Sequence, residues 1–496
     1  MPVEKQKAAE IASEAAFVYH CSTGDNNMSN SKGLVKTFGF FSAFLLVVGS
    51  MIGSGVFKKS APMMNELGDP RWVLAAWLIA GLISLLGALT NAEVAGLIAE
   101  PGGQYAYFKR MYGKTFAFIY GWSMMSVVQT ATAASVAYVF AESLNTIYTL
   151  PRLPGSLEAI EIGVFTPFAN SGVKGITILV LLALTSINYV GVKFGGLVLK
   201  IFSTSVISCI VLIILFSIFM SDGSMANAGT PVENFSYPSK TGFFGAMFAA
   251  MMSAFWAYEG WNTVGFLGGE IKNPYRNIPR ALTFGTMFVI VLYLLVNLAY
   301  MYVLPAQDLI SIHKAGDKIA AVEAVRSFLG YGGMMFILVL ILMSTFNSTN
   351  TTIMGAPRIY YAMANDGLFF KQIGDTHPRY HTPARALLIQ GIWSSVLVLS
   401  GSFDQLTDML IFAAFIFYGA GAFGVFVLRR KLREVPRPYK VFGYPYIPAI
   451  FVVFCAVLVV ISVMERPREA FIGLSLILSG IPVYFWMRYK YPQKRR

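Results

Sequence analysis

The chain has 496 residues, 56% of them apolar and 13% charged, with a formal net charge of +13. Soluble domains run at about 45–50% apolar and about 25% charged, so the composition excludes a water-soluble globule and leaves a polytopic helical membrane protein. In that setting the excess of Lys and Arg has to be judged by its position before it is read as a nucleic-acid surface.

Residues 1–36 mix Glu, Lys, Ser and Asn and lack the apolar core, about 7–15 residues long, of a cleaved signal peptide. They read as a mobile cytoplasmic tail. Twelve apolar stretches follow, at 38–57, 72–98, 115–147, 175–191, 194–219, 241–267, 281–304, 331–357, 386–401, 405–428, 445–464 and 469–487. Each is near the roughly 20 residues with which a helix crosses a bilayer. Short gaps at 191–195 and 273–279, punctuated by Gly or Pro, read as turns. The longer gaps around 148–174, 220–240 and 305–330 have room for short surface helices.

With the N-terminus inside, 26 of the 38 Lys and Arg fall in the tails and inner loops, 11 fall outside, and Lys200 lies within a span. That bias places both termini in the cytoplasm and makes the charge a report of orientation, with no nucleic-acid partner required. Cys21, Cys209 and Cys455 fall in the tail, the fifth span and the eleventh. None is in an outer loop, so no disulfide framework and no disulfide-linked heavy chain are expected.

Two spans are interrupted. The first carries Gly49, Ser50, Met51, Ile52, Gly53, Ser54, Gly55 and Val56 after a solid apolar segment. Glycine costs about 1 kcal/mol in a helix interior relative to Ala, which favours a break; the alternative is a small-residue seam for helix packing through Gly49 and Gly53. A break frees N–H groups that hold a carboxylate and carbonyls that hold an ammonium. The sixth span carries Trp256, Ala257, Tyr258, Glu259, Gly260, Trp261 and Asn262, with a carboxylate and an amide near mid-membrane. Such groups are expensive there without partners and mark a functional candidate; the alternative is a carboxylate bonded to nearby backbone. The two interruptions open two five-helix halves that are inverted relative to each other, which points to a transporter site between them. The layout is a tail at 1–36, repeats at 37–220 and 241–435, and two further helices at 444–490. In the eighth span Thr345, Ser348, Thr349 and Thr352 share one helix face. They read either as a packing face or as a cation site along a water-lined path.

The segments GSMIGSGVF, NAEVAGLI with PGGQYAY, FWAYEGWN with GGEIKNPYRNIPRAL, APRIYYAMANDG, and RPYKVFGYPYIP before GIPVYFW occur in that order from about residue 36 to 490. Together they resemble the amino acid–polyamine–organocation superfamily and, within it, the L-type amino acid transporter family with its stand-alone bacterial members. The resemblance implies two inverted five-helix repeats plus two helices, and an α-amino acid bound between the first and sixth. It implies that the substrate carboxylate meets the N–H groups of Ser54, Gly55 and Val56. It places the ammonium on the carbonyls of Met51, Trp256 and Glu259, with Trp256 as an aromatic lid and Asn262 as a polar pocket residue.

Three departures bear on partners and coupling. The cysteine that joins mammalian light subunits to a heavy chain has no counterpart in 148–174. Val206 stands where many relatives have a lysine that substitutes for sodium, so sodium- or proton-coupled symport stays open beside exchange. Glu259 replaces a glycine of neutral-selective relatives; ionised it attracts a cationic side chain, and protonated it admits neutral substrates. Gly55 is expected to be needed for close approach of the substrate to the main chain.

No enzyme is expected. His20, His313, His377 and His381 lie outside the spans, and neither HExxH nor GxSxG occurs, so no catalytic, metal or cofactor site is assigned. An amino acid sensor of the same fold is the remaining alternative. The partners expected are small-molecule amino acids and the lipid of the plasma membrane.

Overall fold

The computed structural model describes residues 36–161, 166–239, 241–315, 318–400, 403–465 and 467–490. The expectations for the N-terminal tail, Cys21 included, lie outside these residues. Among them, regular structure is helical, with one isolated parallel bridge between Phe38 and Ile271.

Nine helices among the described residues are long and apolar enough to cross a membrane. The first and sixth apolar stretches are not among the nine because each is cut: Phe40–Met51 is followed by Gly55–Lys58, and Phe243–Tyr258 by Thr263–Phe266. The ninth stretch, Ala384–Ser400, is a helix of 17 residues.

Local chemistry sets many of the helix ends. Asp69 accepts from the backbone N–H of Arg71 and Pro70 occupies the first turn, so a capped helix starts at Pro70 and runs to Leu97. Gly68, with φ of 63°, closes the preceding Ser60–Leu67 helix through a bond from its N–H to the Met64 carbonyl. The three long gaps hold the short helices Gly155–Glu158, Met225–Gly229 and Ala306–Ala315.

Several stretches depart from plain spans. The first broken helix continues past 57 to Leu67. The eighth stretch begins at Ala320, well before 331, and turns at Gly330, where φ is 61°. The third is not uniformly α-helical: Lys114–Ser123 passes into a π-helical turn at Met124–Val128 and resumes as Gln129–Ile147.

The helices pack in two groups. Pro274–Val303 lies against Pro70–Leu97 and Phe40–Met51, and Phe243–Tyr258 also lies against Pro70–Leu97, so this group contains both broken helices. Ala320–Gly355 lies against Gln129–Ile147 and Val192–Met220, while Ser171–Val190 lies against Ala384–Ser400. The candidate site sits where the groups meet.

Candidate functional site

The first break is made of Ile52, Gly53 and Ser54. Ile52 leaves the helix with ψ of 86°, and the chain re-enters at Gly55. The first N–H groups of a helix have no intrahelical partner. Among the described residues none of the N–H groups of Ser54, Gly55 and Val56 donates to a recorded acceptor, and the buried Ser54 hydroxyl also has no partner. The carbonyls released on the other side are held by neighbours. Tyr293 Oη lies 2.8 Å from the Met51 carbonyl and 3.0 Å from that of Ala257, bridging the two broken helices. Ser344 Oγ donates to the Ile52 carbonyl at 2.9 Å, and Ser348 Oγ to that of Ser50 at 3.3 Å.

The second break starts at Glu259, which is extended with ψ of 146°, and turns at Gly260, whose φ of 106° suits only glycine. A Cβ on Gly260 would lie 2.8 Å from the Ser50 carbonyl oxygen, so the two breaks touch. Gly55 also sits at the contact: its Cβ would lie 2.5 Å from Ala257 Cβ. The need for glycine at Gly55 is therefore met by helix-to-helix packing, whatever the substrate demands.

The side chains of the second break are tied away from bulk water. Tyr418 donates to a Glu259 carboxylate oxygen at 2.6 Å, and Glu259 is 8% exposed. Asn262 donates to the Gln104 amide oxygen at 3.1 Å, and Tyr120 donates to the same oxygen at 2.9 Å. Trp261 packs on the Tyr418 ring with centroids 5.1 Å apart. One oxygen of Glu259 is thus engaged by protein.

A narrow cavity lies between the breaks and the opposite helix group. Of the residues expected at a site, Met51, Ser54, Gly55, Trp256, Glu259, Ser348 and Thr352 line it; Val56, Asn262, Thr345 and Thr349 are buried nearby but do not. Its free space is about 20 Å³, room for about one water molecule. A guest of amino acid size enters only when the walls part. The Met51 carbonyl already accepts from Tyr293, and that of Trp256 from the Glu259 N–H at 3.2 Å.

The hydroxyl face of Ala320–Gly355 is mostly turned on itself. Thr345 donates to the Ile341 carbonyl at 2.7 Å, Thr349 to that of Thr345 at 2.8 Å, and Thr352 to that of Ser348 at 3.0 Å. Only Ser348 of the four reaches across to the first break.

Sequence reasoning missed one wall. Gln129, Thr132 and Val136 line the cavity from the helix that follows the π turn. A glutamine within an apolar span was the available signal. The π turn had none, since Met124, Met125, Ser126, Val127 and Val128 contain neither Gly nor Pro. Tyr293, Tyr418, Tyr120 and Gln104 carry no local sequence signal of the contacts they make here.

The family model described as amino acid permease matches residues 38–487. A serine/threonine exchanger of Bacillus subtilis is 30% identical over 462 residues, covering 93% of this chain and 98% of that protein. The human large neutral amino acids transporter small subunit 2 is 29% identical over 478 residues, covering 94% and 84%. The human b(0,+)-type amino acid transporter 1 is 26% identical over 464 residues, covering 92% and 89%.

Proposed function

Because the chain belongs to the amino acid permease family, and is thus an integral membrane transport protein and not an enzyme, we propose that it exchanges L-amino acids across the plasma membrane by alternating access. One observation carries the reading: two broken helices face each other across a cavity, with the free N–H groups of Ser54, Gly55 and Val56 at one break and the carbonyl of Glu259 at the other. Positive and negative main-chain ends arranged in that way suit the carboxylate and ammonium of a zwitterion. Met51, Trp256 and Glu259 supply carbonyls for the ammonium. Trp256 covers the substrate, and Asn262 supports the pocket through Gln104.

The remaining layout follows from the same reading. Adding the two broken helices and Ala384–Ser400 to the nine long helices gives twelve crossings, as inverted repeats at 37–220 and 241–435 followed by 444–490. Both termini are cytoplasmic, and the protein works without a disulfide-linked heavy chain. Exchange is favoured over sodium symport because a relative aligned over most of the chain is named as an exchanger.

Flux of labelled amino acids into proteoliposomes containing the single purified chain tests this. The expected result is uptake that needs internal amino acid and is unchanged when choline replaces sodium. Uptake driven by a sodium or proton gradient without internal substrate would instead make it a symporter. Binding without flux would make it a sensor.

A further inference from the structure

The main-chain groups at the breaks meet atoms common to every α-amino acid, so they do not distinguish one side chain from another. Discrimination has to come from the opposite wall, and that wall is shaped by the π turn at Met124–Val128. A π turn adds a residue to a helix and changes the direction of the side chains that follow; such turns are frequent at functional sites. Here the extra turn is held from several sides. Thr130 Oγ1 donates to the Met125 carbonyl at 2.8 Å, Trp393 Nε1 to that of Ser126 at 3.1 Å, and Tyr360 Oη to that of Met124 at 3.4 Å. Gln129 is the first residue after the turn, and it lines the cavity.

Gln129 is 5% exposed, and among the described residues no hydrogen bond engages its side-chain amide. Its neighbours on the wall are committed: Thr132 donates to the Val128 carbonyl at 2.6 Å and Thr352 to that of Ser348. Buried amides are nearly always bonded, and one left open at a cavity gains most from a guest that bonds it. Gln129 lines the same cavity as Ser54, Gly55 and Glu259, with Val136 and Trp256 beside it, so a guest held by the main-chain groups of the breaks reaches the amide with a short side chain.

We propose that Gln129, presented by the π turn, reads the substrate side chain, and that the preferred substrate is an α-amino acid whose small side chain both donates and accepts a hydrogen bond, a hydroxyl or a primary amide. This rests on the transport reading above. A glutamine amide offers both an N–H and a carbonyl, so it pairs with such a group and is stranded by an alkyl one. A site built to bond a polar group rejects the analogue that lacks it far more strongly than an apolar pocket rejects an extra hydroxyl.

The test measures kcat and KM for serine, asparagine, alanine and leucine in proteoliposomes, with thermal stabilisation of the detergent-purified protein by each amino acid in parallel. The wild type should prefer serine or asparagine to alanine, and alanine to leucine; the serine-to-asparagine ratio decides between hydroxyl and amide. Gln129→Met keeps length and removes both hydrogen-bonding groups. It should cut the preference for the polar substrate over alanine by about tenfold, mainly through KM, whereas Gln129→Asn should keep part of it. A wild type that favours leucine, or a Gln129→Met protein with an unchanged ratio, overturns the proposal. If the variant does not transport, the stabilisation ratio decides in the same way. Absence of flux with stabilisation by serine that depends on Gln129 sinks the transport reading alone; flux with ratios indifferent to Gln129 sinks this one alone.

Discussion

The two breaks reach the same outcome by different means. The first contains no residue at positive φ. It is shaped by what surrounds it, with hydroxyls from Tyr293, Ser344 and Ser348 holding its carbonyls and Ala257 pressed against Gly55. The second makes its own turn at Gly260 and brings its own polar side chains, Glu259 and Asn262, each fastened to another helix. A break made by neighbours depends on packing around it; one made by its own backbone depends on a single residue.

That contrast fixes an order of sensitivity. The largest effect is expected for Gly260→Ala, which places a side chain at φ of 106° with its Cβ 2.8 Å from the Ser50 carbonyl oxygen. Strain of about 1–3 kcal/mol should lower thermal stability and abolish uptake. Uptake near the wild-type level would show that the turn at Gly260 is not needed. Next comes the pair at the first break. Gly55→Val should abolish uptake and also lower the melting temperature, since its side chain runs into Ala257; Gly53→Ala, whose Cβ meets only the Ser348 side chain, nearest at Oγ 3.2 Å away, should be mild. Loss of transport in Gly55→Val with unchanged stability would restore substrate approach as the reason for the glycine.

The smallest effect is a change of preference. Glu259→Gln removes the ionisable group while keeping shape, and Tyr418→Phe removes the 2.6 Å bond that favours the ionised carboxylate. Both should lower the ratio of cationic to neutral amino acid uptake, the first more than the second, measured by competition. If neither variant moves the ratio while total activity falls, Glu259 serves the scaffold and does not select charge.

The apolar stretches were legible in the sequence because a bilayer demands unbroken runs, and the breaks were legible because Gly53, Gly55, Glu259 and Gly260 violate that demand. The partners of the breaks were not. Tyr293 lies 242 positions from Met51 and Tyr418 lies 159 from Glu259, and no local pattern marks a tyrosine that bonds at such a separation. Gly55 stands out in the sequence, but a glycine that admits a substrate and one that admits another helix look alike there. The π turn left no trace because its carbonyls are satisfied by Thr130, Trp393 and Tyr360, two of them on remote segments.

The short bridge at Phe38 bears on how such a machine moves. Thr37 and Phe38 donate to the Glu270 carbonyl, Lys272 donates back to that of Phe38, and the Glu270 side chain holds the buried Arg358 at 2.8 Å. The entry to the first broken helix, the exit from the second and the start of Pro357–Asn365 are therefore riveted into one plate at the same end of the bundle. Under the exchange proposed above, opening that end takes one of two joints: either the plate swings as a unit, bending at the breaks above it, or the Arg358 rivet is withdrawn and the two broken helices leave together.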